Sequence, residues 1–246
     1  MKTQLIQTTT LPDRDREKMY ALLTAHFKGV KPEVFEEDLS RKNYVILIKD
    51  PQSNQLKGFS TLLFYQTQLR EETIGVVYSG DTIMDPSAWS SSALSRAWIA
   101  AVKQLSAKCN RNKLYWLLIS SGYRTYRFLP VFWQEFFPRY DVPTPAKTRA
   151  LIDFLANRQF ENYYNPQAGI VRFPHPHALR EGLRGIPSER LKDPHIAFFQ
   201  AQNPGHLQGD ELVCLAEICE ENLTRAGRRM WFADSFKLET SLPMSA

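Results

Sequence analysis

Cysteine is scarce in this chain, and long apolar runs are missing altogether. Of 246 residues only three are cysteine, at Cys109, Cys214 and Cys219. They form no CxxC pair and have no histidine at metal-ligand spacing, so a disulfide framework and a zinc finger are both excluded as organising devices. Reduced, packed thiols are expected instead. No window holds eighteen uncharged apolar residues, which excludes a membrane-spanning helix, and "MKTQLIQTTTLPDRDREKMY" contains no apolar core of a secretory leader. The expectation is therefore a cytoplasmic protein without a membrane span. Repeats of fixed period and low-complexity tracts are also absent, which excludes a solenoid.

What the chain does have is an ample supply of core residues, 43% hydrophobic and 12% aromatic. Its net charge of +5 is concentrated: nine Lys or Arg stand against Glu135 and Asp141 between Lys103 and Arg149, a surplus of seven, so the rest sums to −2. A basic segment of this kind suits an acidic partner, whether the phosphates of a nucleotide cofactor, an acidic protein or nucleic acid, and equally suits a solvated face.

Along the chain the apolar pattern alternates between helical and strand periods. "TQLIQTT" predicts a strand. Pro12, Asp13 and Asp15 open a helix with Met19, Leu22, Leu23, His26 and Phe27 on one face, stopped by Gly29. A second helix starts at Pro32. "YVILI", "LKGFSTLLFY" and "TIGVVYSGDTIM" predict an antiparallel meander. The spacing of Ala93, Leu94, Ala97, Trp98, Ala101, Val102 and Leu105 predicts a long helix, and the unbroken run "KLYWLLIS" a strand buried on both faces. "SSGYRTY" then reads as a loop, with a helix beginning near Arg127 to Pro130 and a core stripe of Phe128, Phe132 and Phe136. Further helices are expected over "KTRALIDFLANRQF", over "DPHIAFFQAQN" with Asp193 as cap, and over "CEENLTRAGRRMWF", with a strand at "ELVCLAEI". Residues 1–232 are expected to form one domain with an irregular, proline-rich insertion at about 141–205, and 233–246 a frayed tail.

This order of elements resembles the GNAT-like (Gcn5-related N-acyltransferase) fold over roughly residues 2 to 140 and a last strand near Glu211. The stretches "GFSTL", "SGDTIM", "GYRTYRFLPVF" and "NPGHLQGDELVCL" are similar to those of an uncharacterised bacterial branch of that superfamily. The resemblance implies an α/β fold with a mixed, mostly antiparallel central sheet and helices on both faces. It also implies acyl transfer from a CoA or carrier-protein thioester to an amine, with acyl-CoA or acyl-carrier protein as co-substrate. Pantetheine would run along Thr82, Ile83 and Met84, and the loop carrying Ser90, Ser91 and Ser92 ahead of the long helix would hold the pyrophosphate. Unpaired amides and the helix dipole make such a place an anion site. The chain departs from the superfamily's Q/R-x-x-G-x-G/A loop: Pro86, Trp89 and Ser91 stand at the Gln/Arg and two glycine positions. That departure supports an alternative, a GNAT-like scaffold without catalysis that serves as a binding or assembly module.

Within that resemblance Asp81, late in its strand, is the candidate base, and Tyr126, or else Tyr123, the candidate acid for the leaving thiolate. Arg124 and Arg127 flank Tyr126 and are candidates for steering phosphates or an acidic partner. Each has a plainer role available: Asp81 as a turn cap, the tyrosines as packing, the arginines in surface ion pairs. His175 and His177 in "FPHPH" share one side of an extended segment but lack an acidic or cysteine neighbour at metal spacing, so no metal is expected. Nucleic-acid binding on the basic and aromatic mixture of residues 111–140 lacks a known module and ranks third.

Overall fold

A computed structural model describes residues 1–109, 112–181, 183, 185–233 and 239–240. In chain order the elements are β1 (Lys2–Gln7), α1 (Asp13–His26), β2 (Phe27–Lys28), α2 (Pro32–Ser40), β3 (Tyr44–Lys49), β4 (Leu56–Leu69) and β5 (Glu72–Met84). There follow α3 (Ala93–Ser106), β6 (Leu114–Ser120), α4 (Tyr123–Tyr126), α5 (Phe128–Phe132) and α6 (Ala146–Phe160). The last are β7 (Tyr164–Asn165), β8 (Ile170–Val171), β9 (Ala178–Leu179), α7 (Pro194–Gln202), β10 (Glu211–Glu217), α8 (Arg225–Trp231) and β11 (Glu239–Thr240). These fall into two compact units, one of Met1–Ala25, Val30–Leu114 and Arg225–Ala246, the other of His26–Gly29 and Tyr115–Thr224.

The first unit is built on the meander expected from the sequence. β3 pairs antiparallel with β1 and β4, and β4 with β5, while β11 adds to β1 in parallel at Gln4 and Leu5. Every residue of β3 is buried, so both faces of the sheet are covered there. α3 supplies one cover, packing on β1, β3, β4 and β5 through Leu94, Ala97, Trp98, Ala101, Val102 and Leu105. Each large aliphatic residue so buried contributes about 1.5–3 kcal/mol. α1 reaches β3 through the buried pair Lys49 Nζ to Asp15 Oδ2, 2.8 Å. At the end of α8, the Trp231 carbonyl accepts from Lys103 Nζ at 2.7 Å.

The second unit centres on β6 and β10, antiparallel from Tyr115 with Glu217 to Ser120 with Leu212, extended by β8 and β7. Asn203 is fully buried, and its Nδ2 donates to the carbonyls of Ser120 (3.3 Å) and Asp210 (2.7 Å). It thereby ties the end of β6 to the turn that leads into β10. Arg172 closes the same turn with a two-pronged bond to Asp210. As expected, Asp193 caps α7, accepting from the His195 amide at 3.0 Å.

Both units are mixed α/β, and within them every described strand pair but β1 with β11 is antiparallel. Three expectations need correction. The segment "SSGYRTY", expected as a loop, turns into helix at Tyr123, because Ser120 Oγ bonds the Gly122 amide and carbonyl and turns the chain back at once, while the helix expected near Arg127 to Pro130 is α5, from Phe128. Pro130 offers no amide to the Tyr126 carbonyl, and the helix is accordingly interrupted at Arg127 and finished by Phe132. Phe136 therefore lies beyond the helix and is not part of a helical stripe, although it is buried against Tyr126. The third concerns the tail: residues 234–238 and 241–246 lie outside the described residues, whereas Glu239–Thr240 form β11 instead of fraying. All three cysteines are free, with Cys109 and Cys214 buried. Among the described residues no helix is long and apolar enough to cross a membrane.

The Lys49 to Asp15 bridge gives a test of the first unit. Lys49→Ala leaves Asp15 buried without its partner and is expected to cost about 3–5 kcal/mol in urea unfolding, whereas Asp15→Leu with Lys49→Met recovers most of that loss. Equal losses in the single and double variants would contradict this.

Candidate functional site

β4 and β5 pair in register from Leu69 with Glu72 to Leu62 with Ser79, and again from Ser60 with Thr82 to Gly58 with Met84. Between these runs Gly80 and Asp81 of β5 oppose Thr61 alone, which is a β-bulge. A bulge interrupts the strict alternation of a strand and re-aims the residue that follows. Here that residue is Asp81.

Asp81 is half-buried, and no hydrogen-bond donor reaches its carboxylate among the described residues. Burial raises its pKa to about 7, Asp38 pushes the same way, and Lys42 opposes both. A carboxylate near half-ionisation at neutral pH can accept a proton from an ammonium without binding it permanently. Thr82 Oγ1 lies 2.8 Å from Ser60 Oγ, Ile83 is buried, and Met84 crosses Gly58, where a Cβ would collide with its side chain.

The loop after β5 is held by its own side chains. Asp85 accepts from the Ser87 amide at 2.9 Å and from the Ser87 hydroxyl. Trp89, 42% exposed, is anchored by Nε1 donating to the Met84 carbonyl at 2.8 Å. Ser91 Oγ accepts from the Ala93 amide at 3.1 Å and Ser92 Oγ from Arg96 Nε at 3.0 Å. The amides of Ser90 and Ser92 have no partner among the described residues. Two free amides thus stand at the start of a fourteen-residue helix, with Arg96 beside them. Sequence reasoning missed Arg96, although a cation in the first turn of α3 was there to be read.

The other four candidates lie in the second unit. Tyr123 is buried under the Arg124 guanidinium, 4.9 Å from its ring centre. Arg127 Nε faces Asp193 Oδ2 at 3.4 Å, an ion pair. Tyr126 is fully buried between Phe136 and Phe199, with ring centres 6.2 and 5.4 Å away, and its hydroxyl donates to the Pro138 carbonyl at 3.0 Å. Burial raises its pKa, Cys214 adds to this and Arg139 opposes it. Held in this way, the hydroxyl joins two segments of the core. Local spacing could not show this, because the acceptor lies twelve residues away. Among the described residues no three His, Cys, Asp or Glu groups converge as a metal site.

No protein-family model matches the chain, and no curated protein matches it. It is similar to solved structures of N-acetyltransferases. Glucosamine-6-phosphate N-acetyltransferase from Arabidopsis thaliana shares 15% identity, with 48% of this chain and 82% of that one covered and a TM-score of 0.33. A GNAT family N-acetyltransferase from Escherichia coli, solved with CoA, shares 14%, with 52% and 68% covered and a TM-score of 0.36. A conserved protein from Enterococcus faecalis, described as a probable N-acyltransferase, shares 13%, with 89% and 66% covered and a TM-score of 0.40. The activities belong to those proteins, and in this chain the chemistry rests on its own residues.

Tyr126→Phe removes the hydroxyl and leaves the Pro138 carbonyl unsatisfied in the core. A loss of about 1–3 kcal/mol is expected, read as a lower melting temperature. An unchanged melting temperature would mean that the bond contributes nothing to the fold.

Proposed function

We propose that the protein is an acyltransferase of the GNAT-like type, moving an acyl group from a CoA or carrier-protein thioester to an amine. The observation that carries this reading is the pairing, within one unit, of an unbonded carboxylate on a bulge with free amides at a helix start one loop later. Asp81 takes the proton of the incoming ammonium, directly or through a water. The freed lone pair attacks the thioester carbonyl, and the tetrahedral adduct expels the thiolate, which takes up the second proton from the nitrogen through water and leaves as the thiol. Pantetheine lies along Thr82, Ile83 and Met84, and the Ser90 and Ser92 amides with Arg96 receive the pyrophosphate. Holding amine and thioester together supplies much of the acceleration.

Ionisation of Asp81 sets the pH dependence. The base must be unprotonated, so kcat/KM is expected to rise with pH and level off above about 7. Asp81→Asn is expected to lower turnover by about 10²-fold or more and to abolish that limb. Stability moves the other way. Because folding raises this carboxyl's pKa, the native state binds more protons than the unfolded chain between about pH 4 and 7, and stability falls as pH rises through that window. Asp81→Asn should therefore be at least as stable as the parent at pH 8. A variant that keeps the parent's rate and pH limb would remove Asp81 from catalysis.

The anchored, exposed Trp89 at a glycine position of the loop favours the second reading, a scaffold that binds without catalysing. Calorimetric titration with CoA and acetyl-CoA separates the two. In the first reading both bind, and Ser91→Glu, which sets a negative charge against the pyrophosphate, weakens binding by about ten-fold, equivalent to about 1.4 kcal/mol. No heat of binding in the parent protein would leave the scaffold reading.

A further inference from the structure

Lys42 lies two residues past the end of α2, yet its side chain is only 2% exposed. Lysine ordinarily buries its stem and keeps the ammonium in water. Here the ammonium is drawn inward by three features. Nζ donates to Asp38 Oδ1 at 2.6 Å and to the Asp38 carbonyl at 3.3 Å. It lies 5.2 Å from the centre of the Tyr78 ring. Its stem crosses β5 at Gly80, where a Cβ would stand 2.6 Å from Lys42 Cε and 3.2 Å from Nζ. The same missing methyl group leaves room for Thr61 Oγ1, which would be 2.6 Å from it and is buried with no hydrogen-bond partner among the described residues. Gly80 is thus required for space, and the space is filled by a cation.

We infer that Lys42 is a positioning residue: the bulge that exposes Asp81 also threads the Lys42 ammonium past Gly80, so that Lys42 and Asp38 together govern the charge on the Asp81 carboxylate. The inference rests on reading Asp81 as the base of the proposed reaction. Two charged groups act on Asp81, Asp38 of α2 and Lys42 just beyond it, and Thr61 of β4 stands opposite it in the ladder with a neutral hydroxyl. Lys42 favours the ionised carboxylate and Asp38 the protonated one, so removing either moves Asp81 in opposite directions. A residue that merely filled space would not produce opposite signs.

The test is a ¹³C NMR titration of protein labelled at the aspartate carboxyls, with the Asp81 resonance identified by its loss in Asp81→Asn. Lys42→Met is expected to raise the Asp81 midpoint by about one pH unit, a ten-fold change in proton affinity. Lys42→Arg, which keeps the charge, should restore the parent midpoint, and Asp38→Asn should lower it. Should Lys42→Met fail to fold, the downward shift in Asp38→Asn still decides. A midpoint that stays put or rises in Asp38→Asn overturns the inference, as does a fall in Lys42→Met. No thioester enters the measurement. Signed shifts in a protein that transfers no acyl group would sink the proposed activity and leave the role of Lys42 standing, whereas transfer with an unmoved midpoint would do the reverse.

Discussion

The one-residue surplus of β5 over β4 at Gly80 and Asp81 is the constraint on which the candidate site depends. In an unbroken ladder residue 81 would share the face of Ser79, whose hydroxyl accepts from Trp98 of α3 at 3.1 Å. The bulge ends that alternation and restores pairing at Thr82 with Ser60. It also falls at Gly80, a position without a side chain, which is where Lys42 passes. A carboxylate lacking hydrogen bonds, a buried ammonium and an orphaned threonine hydroxyl are each costly singly. Gathered at one irregularity, they mark a place where stability has been given up locally, as at functional sites generally.

Charge in this protein is arranged more tightly than counting suggests. The basic surplus between residues 103 and 149 shrinks once the pairs are drawn. Arg127 faces Asp193, Arg139 makes a two-pronged bond to Asp141, and Lys103 caps α8. Lys108 Nζ meets the Tyr44 hydroxyl at 3.0 Å. An acidic partner meets fewer free cations there than nine, and Arg96, outside that segment, stands beside the free amides at α3.

The elements legible in the sequence are those whose signal is local. Apolar spacing marks α3 almost to the residue, alternation and turn residues mark β3, β4 and β5, and Asp193 before Pro194 marks the start of α7. Within the site the serines ahead of α3 and Asp81 near the end of β5 were legible for the same reason. The rest depends on contacts between distant residues. Asp38 and Lys42 are spaced as a helical pair and could be read as one, but nothing local brings them to Gly80, thirty-eight residues beyond Lys42. The Tyr126 bond to Pro138 is likewise a consequence of tertiary packing.

The first unit is discontinuous in the chain: residues 115–224 intervene before Arg225 supplies α8 and β11. On the ribosome this imposes an order. Every residue of the second unit, including the early piece His26–Gly29, has been synthesised before the first unit receives the helix that packs on α3 or the strand that extends β1. Domains fold as units while the chain emerges. The unit that begins at the N-terminus is thus the last to be completed, and until then the nascent chain carries the α3 surface that α8 will cover open to chaperones.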